Sequence, residues 1–274
     1  MNAIYKSKIF RVVDYTYLVI LAIFPLALIF GNLLINFFIF LFSISFFINF
    51  RENKSVFNNK VFYLLAFFLF SLIINVIFSL NPENSLPRVI KIVFIIIFIF
   101  EIKRLFKNYQ NSYFKLIYKT WFIIFLILTI DIIFELIFGY NITGNRSYMP
   151  GRISSFFGDE LVAGAFYHGF VLFFLSFLIL KNSKSYFLIL SIFIVLLLSF
   201  FIGERSNFIK LFFSVIFFSF LALNYNYKFK LVALVFVIIS LITFVNLNET
   251  YKVRYFDQLK VLFLKDGYSN YLKK

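Results

Sequence analysis

Apolar residues fall along this chain in blocks of about 16 to 20, broken by short polar patches. That is the length at which a helix rising about 1.5 Å per residue crosses roughly 30 Å of hydrocarbon. Strands of a membrane barrel would be about half as long and would alternate apolar with polar positions, and these blocks do not alternate. The pattern predicts an all-α fold, a polytopic transmembrane helix bundle of about nine spans near 13–31, 33–50, 61–79, 86–100, 121–138, 159–180, 186–202, 208–223 and 231–247. Gly31-Asn32 makes the first turn very tight.

The connections differ in charge. Those at 51–60 (Arg51, Lys54, Lys60), 101–120 (Lys103, Arg104, Lys107, Lys115, Lys119), 181–185 (Lys181, Lys184) and 224–230 (Lys228, Lys230) are basic. They alternate with turns near 31–32, 80–87, 139–157 and 203–207 that hold few basic residues. By the positive-inside rule the N-terminus is cytoplasmic and the second set of turns lies outside. Residues 1–247 then form the transmembrane domain, and 248–274, with Arg254, Asp257, Lys260, Lys265 and Asp266, begin an outer loop, read as an interfacial helix. The first block follows Lys6, Lys8 and Arg11 but has no convincing small-residue cleavage site and leads into further spans, so it reads as a retained helix.

Composition agrees with this reading. Of 274 residues 62% are hydrophobic, 14% charged and 24% aromatic, with 47 Phe, an inventory from which no water-soluble surface can be assembled. Such a chain must be solvated by lipid, as a multi-pass membrane protein. The net charge of +15 is mostly topological, and no nucleic-acid partner is expected. With no Cys and a single His, disulfides, thiolate metal sites and the usual catalytic zinc arrangements lack ligands. A metal site of carboxylates alone stays open, although none is expected. The abundance of Phe, Ile, Asn and Lys suggests an AT-rich gene, in which each Arg carries more information than each Lys.

Charges inside hydrocarbon cost a few kcal/mol each on insertion scales and need a partner, a cavity or a function. Arg88 and Lys91 share a face near the outer end of the fourth span, and Asp131 and Glu135 share one near the outer end of the fifth. Arg205 opens the eighth span, and Lys210 lies about 7–8 Å deeper along it. Arg152 stands in the outer loop between the fifth and sixth spans, whereas the inner half holds little beyond Asp14. Each long basic chain taken alone is explained by snorkelling, and each acid by pairing with one of them. The set as a whole, with its surplus of cations, suits an anionic ligand such as a phosphate, which matches the donor fork of a guanidinium.

The stretch Gly151-Arg152-Ile153-Ser154-Ser155-Phe156-Phe157-Gly158-Asp159-Glu160 leads into the sixth span, where two acids in a first turn suit the helix dipole. Glu160, Gly164 and His168 make one stripe expected to face protein or water, with His168 a structural histidine or a proton carrier. Ala165 and Gly169 have small-residue spacing for close helix packing. Gly203-Glu204-Arg205-Ser206-Asn207 forms a polar turn in which Ser206 or Asn207 caps the next helix.

The outer Arg-x-Ser-x-Phe-Phe-Gly-Asp-Glu followed about 45 residues later by Gly-Glu-Arg-Ser resembles the O-antigen ligase and O-antigen polymerase superfamily over roughly residues 60–260. The resemblance implies a metal-free, cofactor-free glycosyltransferase of lipopolysaccharide and cell-envelope assembly. Such an enzyme moves a glycan from an undecaprenyl diphosphate carrier to a glycan or lipid A-core acceptor on the periplasmic face. Arg152 and Arg205 match the family's carrier-diphosphate arginines, and Arg88, Lys91 and Lys210 join them as candidate cations. Ligases of this family place a catalytic His in a large outer loop after these spans. This chain has none there, so it is expected to be a C-terminally truncated member or one using Asp159 or Glu160 as base, with the Gly-Asp-Glu form favouring a polymerase. The competing readings are a transporter or flippase of an anionic or lipid-linked substrate, and an inactive membrane fragment or subunit.

Overall fold

The computed structural model describes residues 2–53, 60–108, 112–160, 162–181, 185–222 and 227–257. All regular structure among them is helical. The chain divides into two compact units, Met1–Thr120 and Trp121–Lys274.

The first unit contains α1 (Asn2–Phe30), α2 (Asn32–Ile48), the single turn α3 (Phe50–Asn53), α4 (Lys60–Ile77) and α5 (Pro82–Asn108). Helices α1 and α2 turn back on each other at Gly31, and α5 lies against both α2 and α4. Phe46, Ile96 and Phe100 form the buried centre of that contact, packed on by Phe62, Leu65 and Leu69 of α4. No residue of α4 is buried. A helix apolar all round with such a surface is compatible with hydrocarbon around it.

The helix of the fourth apolar block runs on past that block. The fourth span was expected to stop at residue 100 and give way to a basic connection, but α5 runs on to Asn108. Two of its next charges, Glu101 and Arg104, are buried and paired there, while Lys103 and Lys107 are exposed. Arg104 Nη2 donates to Asp14 Oδ1 (2.6 Å) and Glu101 Oε1 (2.7 Å), and the Ser45 hydroxyl donates to Glu101 Oε1 (2.5 Å). Asp14, which the sequence left with little charge near it, is therefore one corner of a cluster joining α1, α2 and α5.

The second unit takes in most of α6 (Ser112–Phe138), then a 3-10 segment (Ser155–Glu160), α7 (Ala163–Leu180), α8 (Ser185–Phe201), α9 (Arg205–Ala222) and α10 (Tyr227–Leu247). The single turn α11 (Glu249–Lys252) and a π-helical turn (Val253–Asp257) follow. Helices α7, α8 and α9 pack on one another, with α10 against α9. An aromatic seam joins α6 to α7: Phe122 stacks on Phe174 (5.2 Å between centroids), Phe125 on Tyr167 (4.7 Å), and Trp121 meets Phe173 edge-on (4.7 Å). Such pairs contribute about 0.5–1.5 kcal/mol each beyond area burial.

Five stretches are long and apolar enough to cross a bilayer: Val13–Phe30, Lys60–Ile77, Lys115–Phe138, Ala163–Leu180 and Lys230–Leu247, with the shorter apolar helices α2 and α8 beside them. This array is compatible with a multi-pass membrane protein.

The sixth span also begins later than expected. Gly158 (φ 56°, ψ −126°) breaks the helix, and α7 starts only at Ala163. Asp159 and Glu160 therefore precede α7 instead of filling its first turn. Ala165 and Gly169 are exposed, with nothing within 4 Å of a Cβ built on Gly169, so they form no close helix contact among the described residues.

Candidate anion-binding cleft

One end of the second unit is shaped by two buried carboxylates. Asp131 and Glu135, a turn apart on α6, are nearly solvent-free. They accept hydrogen bonds from the following loop: Ile142 N to Asp131 (2.8 Å), Ser155 Oγ to Asp131 (2.5 Å), Ser154 N to Glu135 (3.1 Å) and Ser155 N to Glu135 (2.6 Å). Asn141 is buried in the same network and donates to the Ser155 carbonyl (2.6 Å). Together these bonds hold Ser155 at φ 50°, a left-handed conformation that a non-glycine residue adopts at a cost. Neither carboxylate pairs with a cation among the described residues, so the expected pairing of Asp131 or Glu135 with a basic side chain is not what the structure shows. Backbone N–H and hydroxyl donors solvate them instead, and the bonds fix the loop that carries Arg152.

The second wall is the 200–205 turn. Glu204 is buried and accepts from Gly164 N in the first turn of α7 (2.8 Å) and from Asn207 Nδ2 (2.5 Å). It thus supplies the negative charge at the α7 N-terminus expected of Asp159 and Glu160, but from a separate hairpin. Asn207 serves Glu204 instead of acting as a helix cap. Ile153 N donates to the Ile202 carbonyl (3.1 Å), tying this turn to the Arg152 loop. At Gly203 (φ +78°) a Cβ would lie 2.0 Å from the Gly151 carbonyl oxygen, so only glycine fits between the two backbones.

The third wall is residues 249–257. Tyr255 stacks on Phe200 (4.4 Å between centroids) and donates to its carbonyl (2.8 Å), while Tyr251 donates to the Phe201 carbonyl (3.2 Å). Arg254 Nε donates to the Gly203 carbonyl (2.6 Å), and Arg205 Nη1 to the Arg254 carbonyl (3.1 Å). Asn248 caps α11 by accepting from Thr250 N.

These walls line a cleft of about 870 Å³ in which three arginines, Arg152, Arg205 and Arg254, outnumber two carboxylates, Glu204 and Glu249, with Ser206 and Thr250 beside them. None of the three arginines makes an ion pair among the described residues, and the Nε of Arg152 is buried with no hydrogen-bond partner. Burial holds the Arg254 guanidinium below its ordinary pKa, and the positive charges of Arg152 and Arg205 push it the same way. Burial likewise raises the Tyr251 and Tyr255 phenols above their usual value. Three partly desolvated cations around one space have donors to spare and repel one another, and an anion would relieve both.

The structure thus brings together Arg152 and Arg205 and adds Arg254. Arg88 and Lys91 are exposed on α5 in the first unit, while the cleft is built wholly from the second. Lys210 is exposed on α9 and His168 half-buried on α7, and neither lines the cleft. The side chains of Asp159 and Glu160 lie outside the described residues, as do residues 258–274 with Lys260, Lys265 and Asp266. Among the described residues no three His, Cys, Asp or Glu side chains gather as a metal ion would require. The sequence signal for Arg254 was an Arg in a Lys-biased chain, directly after an apolar span. Glu204 and the Asp131–Glu135 pair were visible as residues but not in their roles.

No family model, curated protein or solved structure matches the chain.

Proposed function

We propose that the protein is an integral membrane glycosyltransferase of O-antigen polymerase or ligase type, using a glycan linked to undecaprenyl diphosphate. The observation that carries this reading is the cleft at which Arg152, Arg205 and Arg254 converge with no ion pair among the described residues, although Glu204 and Glu249 also line it. The order and spacing of the two arginine motifs support it. With the N-terminus cytoplasmic and about nine spans, this cleft faces the periplasm.

In the reaction an acceptor hydroxyl, from a second glycan or a lipid A core, attacks the anomeric carbon. A new C–O bond forms as the bond to the diphosphate breaks, and undecaprenyl diphosphate leaves with the electron pair. The arginines hold the diphosphate and stabilise the charge that develops on it, a role in which each such donor is worth about 10²–10³ in rate. The hydroxyl proton passes to a base, for which Asp159 and Glu160 are the candidates at the end of the 3-10 segment.

The test is transfer in proteoliposomes supplied with undecaprenyl diphosphate-linked oligosaccharide, read as a glycan ladder on a gel. The chain should extend or transfer the glycan, and Arg152→Ala or Arg205→Ala should abolish this. A glycan profile unchanged by both substitutions removes the reading. Movement of the lipid-linked glycan across the membrane with no new glycosidic bond points to a flippase instead.

A further inference from the structure

Helices α8, α9 and α10 leave a second cavity of about 370 Å³ at the end of the unit opposite the arginine cleft, and its chemistry is the reverse. Its walls are Ile189, Phe193, Leu196, Val215, Ile216 and Leu234. Of the two hydroxyl-bearing residues in its lining, Tyr186 stands at the mouth, and Ser219 already donates to the Val215 carbonyl (2.7 Å). The interior therefore offers hydrocarbon and no unmet polar group. From Tyr186 at its mouth to Leu196 at its floor the cavity follows α8 for ten residues, about 15 Å at helical rise and half the roughly 30 Å hydrocarbon thickness of a bilayer. It has the reach of one acyl chain in one leaflet.

The mouth is charged. Lys230 lines it, and its Nζ donates to the Phe220 carbonyl at the end of α9 (3.0 Å) while lying 5.5 Å from the Phe220 ring. One of three ammonium donors is spent on that tether, which leaves two to face a ligand. Exposed Lys228 and Lys181 stand at the same end of the bundle, so the potential there is positive, as at a leaflet rich in anionic lipid.

We propose that this groove is a binding site for an anionic glycerophospholipid of the basic-end leaflet, one acyl chain lying between α8, α9 and α10 and the phosphate beside Lys230. Charge complementarity selects the headgroup, and the length and dryness of the groove select the chain. The site is independent of the arginine cleft and of any glycan chemistry there.

The experiment is native mass spectrometry of the full chain released from nanodiscs of equal phosphatidylglycerol and phosphatidylcholine with identical chains. Phosphatidylglycerol should be retained in preference to phosphatidylcholine. Lys230→Gln should cut that preference about fivefold, the effect of one basic residue near an anionic surface, and Lys230→Arg should keep it. Filling the groove with Leu234→Trp should lose both retained lipids, with folding checked by thermal unfolding. Arg152→Ala should leave retention unchanged. Equal retention of the two lipids by the unaltered protein, or a preference indifferent to Lys230→Gln, overturns the proposal.

Discussion

The two arginine clusters of this protein are built from the same functional group and behave in opposite ways. In the first unit Arg104 is buried between Asp14 and Glu101, with Ser45 completing the set. In the second, Arg152, Arg205 and Arg254 meet around open space, and the nearby Glu204 carboxylate is committed to Gly164 N and Asn207. A closed ion cluster joins helices and has little left to offer a ligand. An open one with surplus donors is costly to the free protein and gains when an anion arrives.

Substitution should separate the two. Arg104→Met leaves two buried carboxylates without their cation and should destabilise the first unit by about 3–5 kcal/mol, read as loss of folded protein or a large drop in thermal midpoint. If Arg104→Met is as stable as the parent, the cluster is not the closed device described. The second cluster depends first on backbone fit. Gly203→Ala places a methyl group against the Gly151 carbonyl at positive φ, and should cost about 2–4 kcal/mol. Its signature is release of residues 249–257, read as faster tryptic cleavage after Lys252 or Arg254.

Removing a cation from the open cluster has a different consequence. Arg254→Gln should weaken binding of inorganic pyrophosphate about tenfold, the loss of one charge-assisted hydrogen bond, with little change in thermal midpoint because repulsion from Arg152 and Arg205 falls. A destabilisation as large as that of Arg104→Met would erase the distinction. The smallest effect concerns pH. Burial raises the Tyr251 and Tyr255 pKa values from 10.0, so the folded state holds these protons more tightly than the unfolded state. The resulting stability is fully present below pH 10.0 and is lost as pH rises through the folded values. Tyr255→Phe should cost about 1 kcal/mol below pH 10.0 and flatten the alkaline decline, followed as thermal midpoint against pH.

The clusters were unequally legible in the sequence. Arg152 and Arg205 stand in short polar stretches between long apolar blocks, where an Arg in a Lys-rich chain is conspicuous. Arg254 was seen as one charge among several beyond an apolar block. Its place in the cleft depends on Tyr251 and Tyr255 docking on Phe200 and Phe201 about fifty residues away. Arg88, Lys91 and Lys210 share the polar signal but not the cleft's lining, because a charge near a helix end is read identically whichever way its face turns. The burial and pairing of Glu101 and Arg104 were not visible in the basic stretch at 101–120, since hydropathy scores a buried, paired charge as it scores a wet one.

Apolar block length and the absence of alternation were enough to dictate helices suited to a bilayer, because a chain in hydrocarbon must satisfy its backbone hydrogen bonds within itself. That rule is local, and a sequence states local rules openly. Which carboxylate meets an arginine and which meets a backbone amide was decided only in three dimensions. Asp14 finds Arg104 on another helix, Asp131 finds Ser155 in a loop, and Glu204 finds the first turn of α7. Burial makes each carboxylate take the nearest donors the fold provides, and proximity across 24, 40 or 90 residues is a property of packing, not of spacing along the chain.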